Sequence, residues 1–172
     1  MTDRVLTQIS ETSIATVTLN APEKHNAFDD ETIAALHDSF RTLAGNDTVR
    51  AVVLASEGKS FSAGADLNWM KAMASYDYAR NEADARALAN MLHALYSLPQ
   101  PTIARVQGAA FGGGVGLVSC CDIAIASSAA AGGNGTAAAA AAYRLTRHKT
   151  SAVRARSFAT DGSKNKICAH RR

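Results

Sequence analysis

Proline is scarce in this sequence, with three among 172 residues, and only 19% of the chain is charged. Disordered chains are proline-rich and heavily charged because they cannot bury enough apolar surface, so this composition excludes global disorder. No apolar run approaches the ~20 residues that a membrane-spanning helix needs, and no membrane partner is expected. The opening MTDRVLTQIS lacks the basic segment and long apolar run of a secretory signal, which makes the cytoplasm the expected location. Cysteine is also sparse: Cys120 and Cys121 are adjacent and Cys168 stands alone. That spacing suits neither a disulfide framework nor a zinc site, so reduced thiols and no bound metal are expected. What the chain does have is 47% hydrophobic residues, enough for one domain with a real core.

The net charge of +3 suggests a nucleic-acid partner until it is divided along the chain. Residues 1–142 hold 9 Lys and Arg against 14 Asp and Glu, whereas residues 143–172 hold 9 against a single Asp. The basicity belongs to the end of the chain alone. Tyr143 and Phe158 are the aromatics there, no recognition motif accompanies them, and no nucleic-acid partner is expected.

Alternation around Val5, Thr7 and Ile9, and again around Ile14, Thr16 and Thr18, predicts a β-hairpin. A polar loop, APEKHNAFDD, offers Asp29 or Asp30 as helix cap. Ile33, Leu36, Phe40 and Leu43 then recur at helical spacing, with Gly45 placed as a left-handed C-terminal cap. The run VRAVVLA (49–55) has the near-continuous apolar character of a strand covered on both faces. A long helix is expected from about Tyr78 to Leu98, buried through Leu88, Leu92 and Leu95 with help from Met91, and ended by Pro99 and Pro101. TIARV (102–106) reads as another buried strand, and QGAAFGGGVGLVSCCDIAIAS (107–127), which it feeds, reads as strand, glycine turn, short helix and strand. Strands alternating with helices imply an α/β domain with a largely parallel sheet.

The texture changes at about Ser128. Residues 129–142 contain only Ala, Gly, Asn and Thr, and no helical or strand period holds in the thirty residues that follow. Ordering costs roughly 1–2 kcal/mol per residue for the backbone alone, and this segment has little apolar surface to offset it. The expected division is therefore a folded domain at 1–128 and, at 129–172, an Ala/Gly-rich and then basic tail, either disordered or the product of a reading-frame or sequencing change.

Two loops carry the chemistry. Gly112, Gly113 and Gly114 follow a buried strand and open a short apolar helix, where free backbone N–H groups and the helix N-terminus favour an anion or oxyanion. Close helix-to-strand packing selects glycine as well, and the run is neither a dinucleotide fingerprint nor a phosphate-binding loop with its Lys. Ser62, Ala63, Gly64, Ala65 and Asp66 form a second such turn after the strand ending at Ala55. Two loops of this kind can place two N–H donors on one oxygen, as stabilising a thioester enolate requires.

The motifs PEKHNAF (22–28), SFSAGADLNWM (60–70) and PTIARVQGAAFGGGVGLVSCCDIAIAS (101–127) occur in the order and at the separations of the crotonase, or enoyl-CoA hydratase/isomerase, superfamily. Over residues 5 to about 127 the sequence resembles that superfamily, in wording closest to its methylglutaconyl-CoA hydratase branch. The resemblance implies an α/β, crotonase-like spiral of ββα units, altered or truncated after about residue 128, and assembly as trimers or hexamers. It implies an acyl-CoA substrate and no separate cofactor, since coenzyme A is part of the substrate. By position, Ala65 and Gly113 match the residues whose N–H groups form the family's oxyanion hole. Ala63, Gly64, Asp66, Gly112 and Gly116 flank them, with Asp66 expected to organise its loop through local backbone hydrogen bonds. Lys24 and Lys59 match regions near the CoA nucleotide, where a cation can pair with phosphate, although each suits a solvated surface equally. Trp69, with Met70, can line an acyl pocket or simply pack in the core.

Two departures matter as much. The family's hydratases use one glutamate two residues beyond the glycine triplet and another about twenty residues later. Gly116 occupies the first place, the second falls near Thr136, and no glutamate occurs after Glu82. Both groups that would activate water and protonate the α-carbon are missing. Gly116 also leaves room for a branched or carboxylated acyl group. Two functions are therefore expected: syn hydration of a 2-enoyl-CoA in fatty acid, leucine or isoprenoid breakdown, or non-catalytic binding of a CoA thioester.

Overall fold

A computed structural model describes residues 3–127, Ala130 and the backbone of 165–168. The N-terminal hairpin forms as its alternation implies: β1 (Val5–Ile9) pairs antiparallel with β2 (Ile14–Leu19), which turns Ala15, Val17 and Leu19 into the core. A short 3-10 turn at Pro22–Lys24 precedes α1 (Asp30–Ala44). Asp29 is the N-cap, its side chain accepting from the Thr32 N–H at 3.0 Å. The helix buries Ile33, Leu36, Phe40 and Leu43 as its spacing requires.

Gly45 departs from expectation. It ends α1 at φ −90° and ψ 5°, not in the left-handed region, and its N–H bonds to the Leu43 carbonyl. The side-chain amide of Gln100 donates to that same carbonyl at 2.9 Å. A long-range donor thus does part of the work of a left-handed cap.

Next come β3 (Ala51–Ser56), α2 (Leu67–Met73), α3 (Tyr78–Tyr96), β4 (Thr102–Val106), α4 (Gly113–Cys120) and β5 (Ile123–Ser127). Strands β2 to β5 are mutually parallel and adjacent in chain order. Sequential order with right-handed crossovers places the connecting helices on one face of the sheet, and α1 packs on α3, and α3 on α4, accordingly. The result is a spiral of repeated strand and helix turns around one core. On α3 the fully buried residues are Met91 and Leu95, with Leu88 and Leu92 partly buried beside them.

Strand β3 is less enclosed than its apolar run implies. Val52 and Leu54 are fully buried under the helical layer, whereas Val53 is half-buried. Val53, Ile103 and Ile123 lie side by side across three strands, all half-buried, because the helices among the described residues cover the other face.

Most of 129–172 lies outside the described residues, and so does the expectation of disorder there. Two parts are described. Ala130 is buried in the core, and Asn165–Cys168 forms a strand, β6, antiparallel to β5, where no strand period was expected. No described helix is long and apolar enough to cross a membrane. Groups of His, Cys, Asp or Glu able to hold a metal ion are likewise absent among the described residues.

Candidate functional site

The site is assembled from three loops that leave the same end of the parallel strands, and one asparagine ties two of them together. Asn26 is buried with φ 53°, a conformation asparagine tolerates better than most residues. Its side-chain oxygen accepts from the Ala21 N–H at 3.0 Å, and its amide donates to the Glu57 and Ser60 carbonyls at 2.7 and 2.9 Å. The Asn26 carbonyl accepts from the Ser62 hydroxyl at 2.8 Å, whose oxygen in turn accepts from the Gly64 N–H at 3.0 Å. Gln107, just after β4, reinforces this arrangement by donating to the Ser56 hydroxyl at 2.9 Å and the Gly58 carbonyl at 3.0 Å.

Residues 62–66 then run between two neighbours. On one side the Phe28 N–H donates to the Gly64 carbonyl at 2.9 Å, and the Asp66 N–H donates to the Phe28 carbonyl at 3.0 Å, a parallel bridge opposite Ala65. In that pattern Phe28 bonds the residues before and after Ala65, so the Ala65 N–H is turned away from it. On the other side the Phe111 N–H donates to the Ser62 carbonyl at 2.9 Å, and the Ser62 N–H to the Ala109 carbonyl at 3.2 Å. The Ala63 N–H donates to the His25 carbonyl at 2.9 Å, leaving its methyl exposed.

The 62–66 and 110–114 loops therefore converge, which composition alone could not show. Gly64 has φ +88°, and a Cβ there would lie 3.0 Å from the Phe111 carbonyl oxygen. Gly112, at φ +47°, turns the chain into α4. Gly113 opens α4 over the ring of Phe28, where a Cβ would lie 2.2 Å from Phe28 Cζ. Any side chain at 113 would push the loop off that ring. Neither the Ala65 N–H nor the Gly113 N–H has an acceptor among the described residues. Ala65 and Gly113 are each partly exposed as residues, and the partial positive charge at the start of α4 adds to that of the free amides.

The remaining residues take varied places. Asp66 caps α2, its Oδ1 accepting from the Asn68 and Trp69 N–H groups at 2.7 and 3.1 Å. Lys24 reaches Asp66 Oδ2 at 3.8 Å, so it stands beside the Ala65 loop while still half-exposed. Lys59 is exposed and makes no ion pair among the described residues; its backbone oxygen packs under Gly108, where a Cβ would come within 1.8 Å. Gly116 lies against α3, and a Cβ there would meet the Leu92 methyls at 3.6 Å, an ordinary contact. Helix α4 carries no ionisable acid from Gly113 to Cys120. Trp69 packs partly on the core.

Asn26, Phe28 and Gln107 escaped the sequence reading as members of the site, and Ser62 was read there only as part of its turn, without its hydroxyl's bond to the Asn26 carbonyl. Asn26 carried a signal, an asparagine in a polar loop, but nothing local reveals that it bonds a loop thirty residues away.

Comparison with known proteins follows the same residues. A family model described as enoyl-CoA hydratase/isomerase matches residues 10–142. The chain is 36% identical over 120 residues to a Thermus thermophilus protein assigned as an enoyl-CoA hydratase, covering 70% of this chain and 47% of that protein. It is 33% identical over 115 residues to 4-chlorobenzoyl coenzyme A dehalogenase-1 of Arthrobacter, covering 66% and 42%. Among solved structures, an enoyl-CoA hydratase from Shewanella pealeana superposes with a TM-score of 0.70 at 42% identity, over 72% of this chain and 46% of that one. The chain thus spans about half the length of the relatives it matches.

Proposed function

Because the chain belongs to the enoyl-CoA hydratase/isomerase family, we propose that it binds an acyl-CoA thioester with the carbonyl oxygen between the N–H groups of Ala65 and Gly113. The observation that carries this reading is the pair of amides without acceptors among the described residues, at two partly exposed residues on loops that are hydrogen-bonded to each other. Removing a proton from the α-carbon, or adding water at the β-carbon, shifts negative charge onto the thioester oxygen. Two fixed N–H donors about 2.7–3.1 Å from that oxygen stabilise the charged form more than the neutral one. Lys24, beside the Ala65 loop, and exposed Lys59 are the cations proposed for the nucleotide phosphates.

Hydration of a 2-enoyl-CoA is the reaction proposed for the family scaffold, with a branched or carboxylated acyl group, such as methylglutaconyl-CoA, admitted by the missing side chain at Gly116. Trimeric assembly and a cytoplasmic role in acyl-CoA breakdown belong to the same proposal. One feature favours a second reading, binding without hydration. Helix α4 presents no acid at position 116, and Asp66 is committed to capping α2 and faces Lys24. General acid and base groups each contribute about 10²- to 10⁴-fold, so turnover of crotonyl-CoA close to the uncatalysed rate, with binding intact, is the outcome expected of the binder.

An amide-to-ester replacement at Ala65 tests the shared part of both readings. The ester deletes the N–H and adds no atoms. Loss of one such donor costs about 10²–10³-fold in oxyanion stabilisation, and a comparable loss of affinity for an enolate-like CoA thioester is expected. Unchanged affinity would assign the loop to structure alone.

A further inference from the structure

Ser62 is fully buried, and its side chain sits where three loops meet. Its main chain pairs with the segment that leads into α4: the N–H donates to the Ala109 carbonyl at 3.2 Å, and the carbonyl accepts from the Phe111 N–H at 2.9 Å. Its hydroxyl donates to the Asn26 carbonyl at 2.8 Å and accepts from the Gly64 N–H at 3.0 Å. An alanine would fill nearly the same space without a hydroxyl to desolvate, so packing alone does not call for the oxygen.

The side chain restrains a neighbour of each proposed donor. Gly64 precedes Ala65, and at φ +88° it is a residue with wide freedom to turn. Its carbonyl is held by the Phe28 N–H at 2.9 Å, and its own N–H by Ser62 Oγ. Carbonyl and N–H point opposite ways across the trans peptide from Gly64 to Ala65, so these two bonds aim the Ala65 N–H. On the other loop, buried Gly114 follows Gly113 directly. A Cβ there would come within 2.8 Å of Ser62 Cβ and 3.2 Å of Ser62 Oγ, so the first turn of α4 rests on the Ser62 side chain.

We propose that Ser62 is a positioning residue for the thioester site: bonded to the residue before Ala65 and wedged against the residue after Gly113, it sets the spacing at which the two amides meet one oxygen. This rests on the acyl-CoA reading above and adds the residue that gauges the site. Preorganised donors stabilise developing charge only when they are held at the right separation, so loosening Gly64 weakens the grip on that oxygen and leaves the rest of the ligand's contacts in place.

Two probes separate these effects. Acetoacetyl-CoA forms an enolate with charge on the thioester oxygen, whereas S-butyl-CoA is a thioether with no oxygen there. Both are titrated into the full chain by calorimetry, and the bound enolate is followed by its ultraviolet absorbance. The parent is expected to bind acetoacetyl-CoA more tightly than S-butyl-CoA. Ser62→Ala keeps the Cβ that supports Gly114 and removes the oxygen that holds Gly64; it should bind acetoacetyl-CoA about ten-fold more weakly, with less enolate absorbance, and S-butyl-CoA as before. Ser62→Cys, which offers Gly64 only a weak sulfur acceptor, should fall between the two and serves alone if the alanine variant does not fold. A folded variant that loses affinity for both probes equally, or for neither, overturns the positioning role and leaves the acyl-CoA reading standing. Failure of the parent to bind acetoacetyl-CoA overturns both.

Discussion

Gly113 and Gly116 lie three residues apart in α4 and face opposite constraints. A methyl at 113 would collide with the Phe28 ring, whereas a methyl at 116 would rest on Leu92. Overpacking typically costs about 1–3 kcal/mol, so Gly113→Ala should lower the denaturant midpoint by that order. Gly116→Ala should hold or raise it, since alanine is favoured over glycine in a helix by up to about 1 kcal/mol. Equal effects of the two substitutions would mean that Phe28 does not support the glycine turn. Asn26 presents the same logic in polar form. Asn26→Ala strips partners from the Ala21 N–H and from the Glu57 and Ser60 carbonyls. Unsatisfied buried groups cost about 1–3 kcal/mol each, and a loss of roughly 2–4 kcal/mol is expected, accompanied by weaker acyl-CoA binding because the 57–64 loop loses its anchor. The glycines and Ala65 were legible in the sequence because their motifs are local. Asn26 and Gln107 were not, because the 56–60 segment they both bond lies more than thirty residues along the chain from Asn26 and more than forty from Gln107.

At the scale of elements, α1 shows how much a cap contributes. Burial alone would raise the Asp29 carboxyl pKa, but the Thr32 N–H, the Arg4 guanidinium and the Thr32 hydroxyl together outweigh it and hold the value below normal. A carboxyl more acidic folded than unfolded adds stability that is fully present above about pH 4, and that stability is lost as pH falls through the lower folded value. Asp29→Asn keeps a good N-cap residue and removes the charge. The variant should therefore be less stable than the parent near neutrality and should converge on it in acid. Chemical denaturation at a series of pH values checks this, and parallel stability profiles would contradict it. The cap was readable from Asp29 and the helical spacing behind it. The end of α1 was not, since Gln100, which bonds the last carbonyls, arrives from the far side of β3 and α3.

At the scale of the molecule, parallel strands in chain order bring successive strand-to-helix loops to one edge of the sheet, which is why residues near 26, 64 and 112 meet. The alternation of strands and helices in the sequence implied this architecture. The half-buried rank of Val53, Ile103 and Ile123 could not be foreseen, because an apolar strand reads alike whether one or both of its faces are covered. The central claim is that this meeting point grips a thioester oxygen with two amides, and an amide spectrum of the ¹⁵N-labelled chain titrated with butyryl-CoA tests it most directly. The account predicts that the Ala65 and Gly113 N–H resonances move downfield together and saturate at the same ligand concentration; saturable binding that leaves both where they were would contradict it.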